Sequence, residues 1–176
     1  MNDAAVENAE HAEIAEQIRR FGANLRGARL RAGLTQAQLS AAAPLDRAAI
    51  SRLECGERAP DLRTLLRICD ALAIQPTEPL RGIGPSASPR PRRPAASDSE
   101  AATLFGANLK RARKRAGISQ ERLALDAKVD RAAISVYENG GREPNLRTVL
   151  KLAMKLEIRP GLLLTGIVGL AQGTPS

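Results

Sequence analysis

The stretch Asp46–Glu54 reads DRAAISRLE, and it returns at Asp130–Glu138 as DRAAISVYE. Each copy opens with an aspartate suited to cap a helix, sets an arginine directly after it, and follows with small residues around an apolar isoleucine. An arginine held at the end of a helix can pair bidentately with guanine O6 and N7, which discriminates by about 1–3 kcal/mol, or it can grip a phosphate and add affinity without specificity. Ala48, Ala49, Ala132 and Ala133 are small enough to let a base edge approach, and an alanine methyl can meet a thymine methyl. Ser51 and Ser135 can donate to a base or a phosphate. Arg52 stands opposite Val136 as the clear difference between the copies. Both stretches read as helices built to enter a DNA major groove.

Composition is compatible with that chemistry and excludes several others. The chain of 176 residues carries 27 Lys and Arg against 19 Asp and Glu, a formal charge of +8, which suits a polyanionic partner. Phe21, Phe105 and Tyr137 are the aromatic residues, too few for the stacking platforms of single-strand binders, so duplex DNA is the better polyanion. Cys55 and Cys69 fit no CxxC or zinc-ligand spacing, and the single histidine, His11, lies in an acidic segment. No catalytic constellation, metal site, cofactor motif or small-molecule site is evident. The apolar run Leu162–Leu170 is far short of the roughly 20 residues a membrane span needs, and no signal-peptide pattern opens the chain; a cytoplasmic protein is expected.

The reading heads belong to a longer repeat. Phe21–Ile83 aligns without a gap with Phe105–Ile167, and more than half of the aligned positions are identical, including FGANL, RAG and LRT. Two copies of one small domain are therefore expected. The expected boundaries are an acidic tail or helix extension at 1–18 (Asp3, Glu7, Glu10, Glu13 and Glu16, with no Lys or Arg), a first domain at 19–83, a flexible Pro/Ser/Arg-rich linker at 84–99, a second domain at 100–170 and a C-terminal tail at 171–176. Ile14, Ile18, Phe21 and Leu25 recur at helical spacing, so the first helix should begin within the acidic tail and run to about Arg31. Thr35, Asp46 and Asp61 are expected to cap the second, third and fourth helices of the first copy, with Gln38 completing a capping box; Ser119, Asp130 and Asn145 do the same in the second. A fifth helix should follow Pro76 and Pro160, weakened by Pro79 in the first copy. The apolar strip from Pro160 to Leu170 can dock on its own core, form a homodimer contact, or both.

The motifs RAGLTQAQLS…LDRAAISRLECGERAPDLRTLLRICDALAI and RAGISQERLA…VDRAAISVYENGGREPNLRTVLKLAMKLEI make both repeats resemble the Xre-type helix-turn-helix family, the lambda repressor and Cro group. The resemblance covers about seven-tenths of the chain. It implies an all-α fold, two tandem lambda repressor-like five-helix domains joined by the linker, and a sequence-specific double-stranded DNA-binding regulator of transcription, not an enzyme. It assigns Gln36 and Gln120 to the DNA backbone, and Arg47, Ala48, Ser51, Arg52, Arg131, Ala132 and Ser135 to the groove. It pairs Arg29 with Glu54 and Arg113 with Glu138 as structural ion pairs that set the tilt of the recognition helix. Pro44 and Lys128 occupy a turn position where the family often has glycine, and Ser40 replaces a small alanine that Ala124 keeps. The second copy therefore fits better.

The linker can span about 20–24 Å on average, and about 50 Å when stretched, so one chain can reach two half-sites one DNA turn (about 34 Å) apart. Those half-sites can be inverted or direct repeats. Two other readings follow from the same residues: an adaptor module that uses the fold to bind protein, and a non-specific architectural DNA-binding protein. The acidic tail can act as a solubilising helix extension or fold over a basic surface and compete with DNA.

Overall fold

The computed structural model describes residues 3–84 and 98–167. In chain order the helices are α1 (Asp3–Arg31), α2 (Gln36–Ala42), α3 (Arg47–Glu54) and α4 (Leu62–Ala71), then α5 (Asp98–Arg115), α6 (Gln120–Ala127), α7 (Arg131–Glu138), α8 (Leu146–Lys155) and α9 (Pro160–Leu163). The described residues are mostly helical and form no named strand, and α2–α3 and α6–α7 are the two helix-turn-helix units. The greater part of the linker, residues 85–97, and the C-terminal stretch 168–176 lie outside the described residues.

Local chemistry explains where the helices start. Thr35 accepts from the Gln38 amide while the Gln38 side chain accepts from the Thr35 amide, a complete capping box. Asp46, Asp61, Ser119, Asp130 and Asn145 each accept from amides in the first turn of the helix they precede. These are the caps that the sequence leads one to expect. The first helix also begins within the acidic tail, and Ile14, Ile18, Phe21 and Leu25 along it are all buried.

The shared FGANL motif fixes how the first helix of each copy sits. Phe21 and Phe105 are fully buried and centre the two cores, and Leu25 and Leu109 lie beside them. Gly22 lets α1 cross the end of α3 backbone to backbone: a Cβ there would fall 2.5 Å from the Leu53 carbonyl oxygen. Gly106 does the same against the Tyr137 and Glu138 carbonyls at the end of α7. Asn24 donates to the carbonyls of Pro79 and Arg81, at 2.9 and 3.0 Å, and Asn108 donates to those of Leu163 and Thr165, at 3.2 and 2.8 Å. Each asparagine thereby ties the last segment of its copy back to the first helix.

The fifth helix forms in only one copy. In the second, α9 buries Leu163, with Leu164 and Ile167 following into the core, and leaves Leu162 exposed. In the first, residues 75–84 stay as turns, so the expectation of five helices per domain is corrected there. Pro79 supplies no amide hydrogen and resists the helical conformation in the residue before it, and Leu80 and Ile83 fill the core from turns instead. The turn before α3 also departs from its counterpart. Lys128 adopts the left-handed conformation (φ 49°) and its amide donates to Leu125 O, whereas Pro44 stands at φ 23°, far from the roughly −65° its ring prefers, and has no amide hydrogen. Leu45 still donates to Ser40 O and Val129 to Ala124 O, so both turns close alike. The Ser40 hydroxyl is satisfied by Ala37 O.

The two copies also touch. Asp61 and Asn145 face each other in an isolated antiparallel bridge, with Leu62 N donating to Pro144 O (3.1 Å) and Leu146 N to Pro60 O (2.7 Å). The acidic first turns of α1 run along α8: Ile14 is buried near Ala127 and Met154, Glu7 pairs with Lys128 at 2.8 Å, and Glu10 pairs with Lys155. The acidic segment is thus a helix extension laid on the second copy.

Two stability predictions follow from this packing. Gly106→Ala is expected to lower stability by about 1–3 kcal/mol because its methyl meets backbone that cannot step aside, although alanine alone favours a helix by about 1 kcal/mol. Pro44→Gly is expected to raise stability by about 1 kcal/mol, since relief of backbone strain outweighs the entropy that glycine adds to the unfolded chain. Chemical denaturation of each variant beside the parent chain measures both.

Candidate nucleic-acid interface

Each head is positioned by one buried cluster. Arg29 on α1 forms a two-pronged pair with Glu54 at the end of α3, Nε to Oε1 at 2.6 Å and Nη2 to Oε2 at 2.9 Å. Its remaining nitrogen, Nη1, donates to Leu34 O in the loop before α2. Gln36, the first residue of α2, donates to Glu54 Oε2 at 2.9 Å. The second copy repeats the set: Arg113 meets Glu138 at 2.6 and 3.0 Å, Arg113 Nη1 reaches Ile118 O, and Gln120 reaches Glu138 Oε2 at 2.7 Å. All four charged residues are less than one-tenth exposed. Burial pushes the Glu54 and Glu138 carboxyls upward, but the hydrogen bonds from arginine and glutamine outweigh it and hold both below the ordinary carboxylate value of 4.5. Two further contributions come from Arg26 and Lys110, nearby cations on the first helix of each copy.

The glutamines therefore have a structural partner that the motif alone does not reveal. Gln36 and Gln120 are half-buried, each with its amide nitrogen committed to a carboxylate. That fixes the side chain in one orientation at the start of the helix.

In the first copy the expected groove residues converge on one surface. Gln36, Arg47, Ala48, Ser51 and Arg52 line a single depression formed by the starts of α2 and α3. Arg47 and Ala48 are exposed and Ser51 is half-buried; Arg131, Ala132 and Ser135 match them in turn. Arg47 and Arg131 make no hydrogen bond or ion pair with any other described residue. Both sit in the first turn of a helix, where the macrodipole disfavours a positive charge by about 0.3–1 kcal/mol. Neither forms an ion pair with the aspartate cap beside it: Asp46 and Asp130 accept from backbone amides, and Arg52 is the arginine that approaches Asp46. An exposed cation placed against the helix field in both copies adds nothing to the fold and is open to an anionic or guanine-bearing partner. Arg52 lies 3.9 Å from Asp46, a loose contact, while its counterpart Val136 is exposed and apolar.

Other residues that the sequence singled out are accounted for by packing. Cys69 is fully buried, and burial pushes its thiol well above the ordinary value, whereas Cys55 is exposed in the loop after α3. No described helix is long and apolar enough to cross a membrane.

Residues 109–163 match a helix-turn-helix family profile, and residues 20–80 match a helix-turn-helix domain profile. An uncharacterized HTH-type transcriptional regulator, YqaE of Bacillus subtilis (strain 168), is 33% identical over 63 residues, which is 36% of this chain and 54% of that protein. The SPbeta prophage-derived uncharacterized HTH-type transcriptional regulator YonR of the same organism is 38% identical over 63 residues, 36% of this chain and 58% of its own length. The chain thus spans somewhat over half of each relative. The crystal structure of the restriction-modification controller protein C.AhdI from Aeromonas hydrophila is 39% identical, covers 35% of this chain and 94% of that one, and superposes with a TM-score of 0.35.

The buried pair predicts both a mutational and a pH effect. Arg113→Met leaves the Glu138 carboxylate buried and unpaired, and is expected to cost about 3–5 kcal/mol in urea unfolding. Because both glutamates are held below 4.5, their contribution is complete above that value and is lost as pH falls through the lowered folded-state values. A chain with both pairs replaced by apolar residues should lose less stability between pH 6 and pH 3 than the parent does.

Proposed function

We propose that this chain, which carries two helix-turn-helix repeats of the Xre type found in DNA-binding transcriptional regulators, is a sequence-specific regulator that enters the DNA major groove with both α3 and α7. One chain occupies two half-sites, in the cytoplasm, and acts by binding, without catalysis. The observation that carries this reading is the pair Arg47 and Arg131, both exposed and without a partner among the described residues at the first turn of each head. Gln36 and Gln120, oriented by their glutamates, face the DNA backbone from the neighbouring helix end. Ala48, Ser51, Ala132 and Ser135 complete the groove-facing surface, and Arg52 against Val136 makes the two heads alike but not equal.

A homodimer through the C-terminal strip is a secondary element of this reading. Among the described residues of the strip, Leu163, Leu164 and Ile167 are taken up by the core of their own copy and Leu162 is exposed.

Selection of bound duplexes from a random pool tests the function directly, because a sequence-specific regulator returns a consensus and an architectural or adaptor protein does not. On the selected duplex, Arg47→Ala or Arg131→Ala is expected to weaken binding by about 1–3 kcal/mol and to relax the base preference at one position of one half-site. If either arginine instead holds a phosphate, its removal weakens all duplexes alike and lowers the salt slope by about 1. Affinity that stays constant between 50 and 200 mM salt would show that the partner is not DNA.

A further inference from the structure

The contacts between the two copies are not those of a simple tandem. Asp61 lies opposite Asn145, its own counterpart in the other repeat. The two hydrogen bonds flanking them are reciprocal: Leu62 donates to Pro144, and Leu146, the counterpart of Leu62, donates to Pro60, the counterpart of Pro144. A second self-contact occurs elsewhere in the chain. Thr77 packs against Gly161, again its counterpart, and a Cβ on Gly161 would lie 3.6 Å from Thr77 Cγ2. Repeats that follow one another head to tail bring unlike surfaces together, whereas a surface meets its own counterpart only across a twofold axis. Two separate self-contacts, one in the loops that leave the reading heads and one near the end of each repeat, define the same kind of axis.

We infer that the two copies form an intramolecular pseudo-dimer whose twofold axis dictates an inverted pair of half-sites, bound by one chain per site. The inference rests on the DNA-binding reading given above and adds the arrangement of its target. Any operation that relates the copies also relates α3 to α7. Heads related by a twofold axis match the dyad of a duplex read from both strands, so the half-sites run toward each other. A direct repeat would require the second head to turn about, breaking the bridge at Asp61 and Asn145. The symmetry is not complete. Arg63 pairs with Glu143 at 3.7 Å, but the counterpart of Glu143 is Ala59, and the extension of α1 lies on α8. With Arg52 facing Val136 on the heads, the two inverted halves are similar without being identical.

Residues opposite one another in a non-hydrogen-bonded antiparallel pair have Cα atoms about 4.5 Å apart, close enough for a disulfide. The test uses the full chain carrying Asp61→Cys, Asn145→Cys and Cys55→Ser, oxidised and reduced, beside the parent chain. Each is titrated with two duplexes built from the selected half-sites at the same spacing, one inverted and one with a half-site reversed to make a direct repeat. The expected result is that the disulfide forms, and that both the parent and the locked chain bind the inverted duplex one to one and at least about 100-fold more tightly than the direct one. Equal affinity of the parent for both arrangements would show heads that swing independently and would overturn the inference while leaving the DNA-binding function standing. A locked chain that no longer binds the inverted duplex, while its reduced form does, overturns it as well. Failure to prefer any selected duplex over random DNA of the same length removes the function and the inference together.

Discussion

The buried arginine–glutamate pair is the constraint on which the rest depends. Arg29 gathers three separate parts of the chain: the end of α1 that carries it, the end of α3 through Glu54, and the loop before α2 through Leu34 O. Gln36 then fastens the start of α2 to the same carboxylate. A helix of eight residues such as α3 has little stability of its own, since short helices are marginal in water. Its direction is imposed from both ends, by the Asp46 cap at the start and by the ion pair at the finish. The close crossing at Gly22 leaves α1 no room to slide away from that finish.

Much of this was legible in the residues. The repeat and the six caps follow from spacing and side-chain chemistry, the two ion pairs follow from the resemblance to the helix-turn-helix family and are present in the structure, and the helix-turn-helix character of both copies agrees with the two profile matches. What could not be read has physical reasons. FGANL looks like a repeated amphipathic start, but the roles of its glycine and asparagine depend on backbone from parts of the chain more than twenty residues away. The glutamines carry a polar amide that suits DNA or a carboxylate equally well, and only the approach of Glu54 and Glu138 decides where the nitrogen points. The contact between copies involves backbone amides and carbonyls, which carry no sequence signature at all. The missing fifth helix of the first copy was signalled, by Pro79, yet the sequence could not say that turns would fill the core instead.

The acidic extension of α1 illustrates how a duplicated fold becomes a single object. Its carboxylates serve as partners for Lys128 and Lys155 on the second copy, and a hydrogen bond from Lys128 holds Glu7 below the ordinary carboxylate value. The first pair is about half exposed and the second more covered, and ion pairs open to solvent are individually weak. Ile14, buried between α1 and α8, supplies the apolar part of the contact. A continuous helix therefore begins on one repeat and ends in the core of the other.

The facing positions Asp61 and Asn145 carry a consequence of their own. In an assembly of two identical chains, a residue at the axis must tolerate a copy of itself, and every change there arrives twice. Two aspartates in that position would set like charges against each other. Within one chain this requirement does not hold: one side is an amide and the other an acid, and both cap their helices. The same freedom allows glycine to meet threonine at the second self-contact and glutamate to appear where its counterpart is alanine. Covalent linkage has turned a rule of sameness into room for divergence.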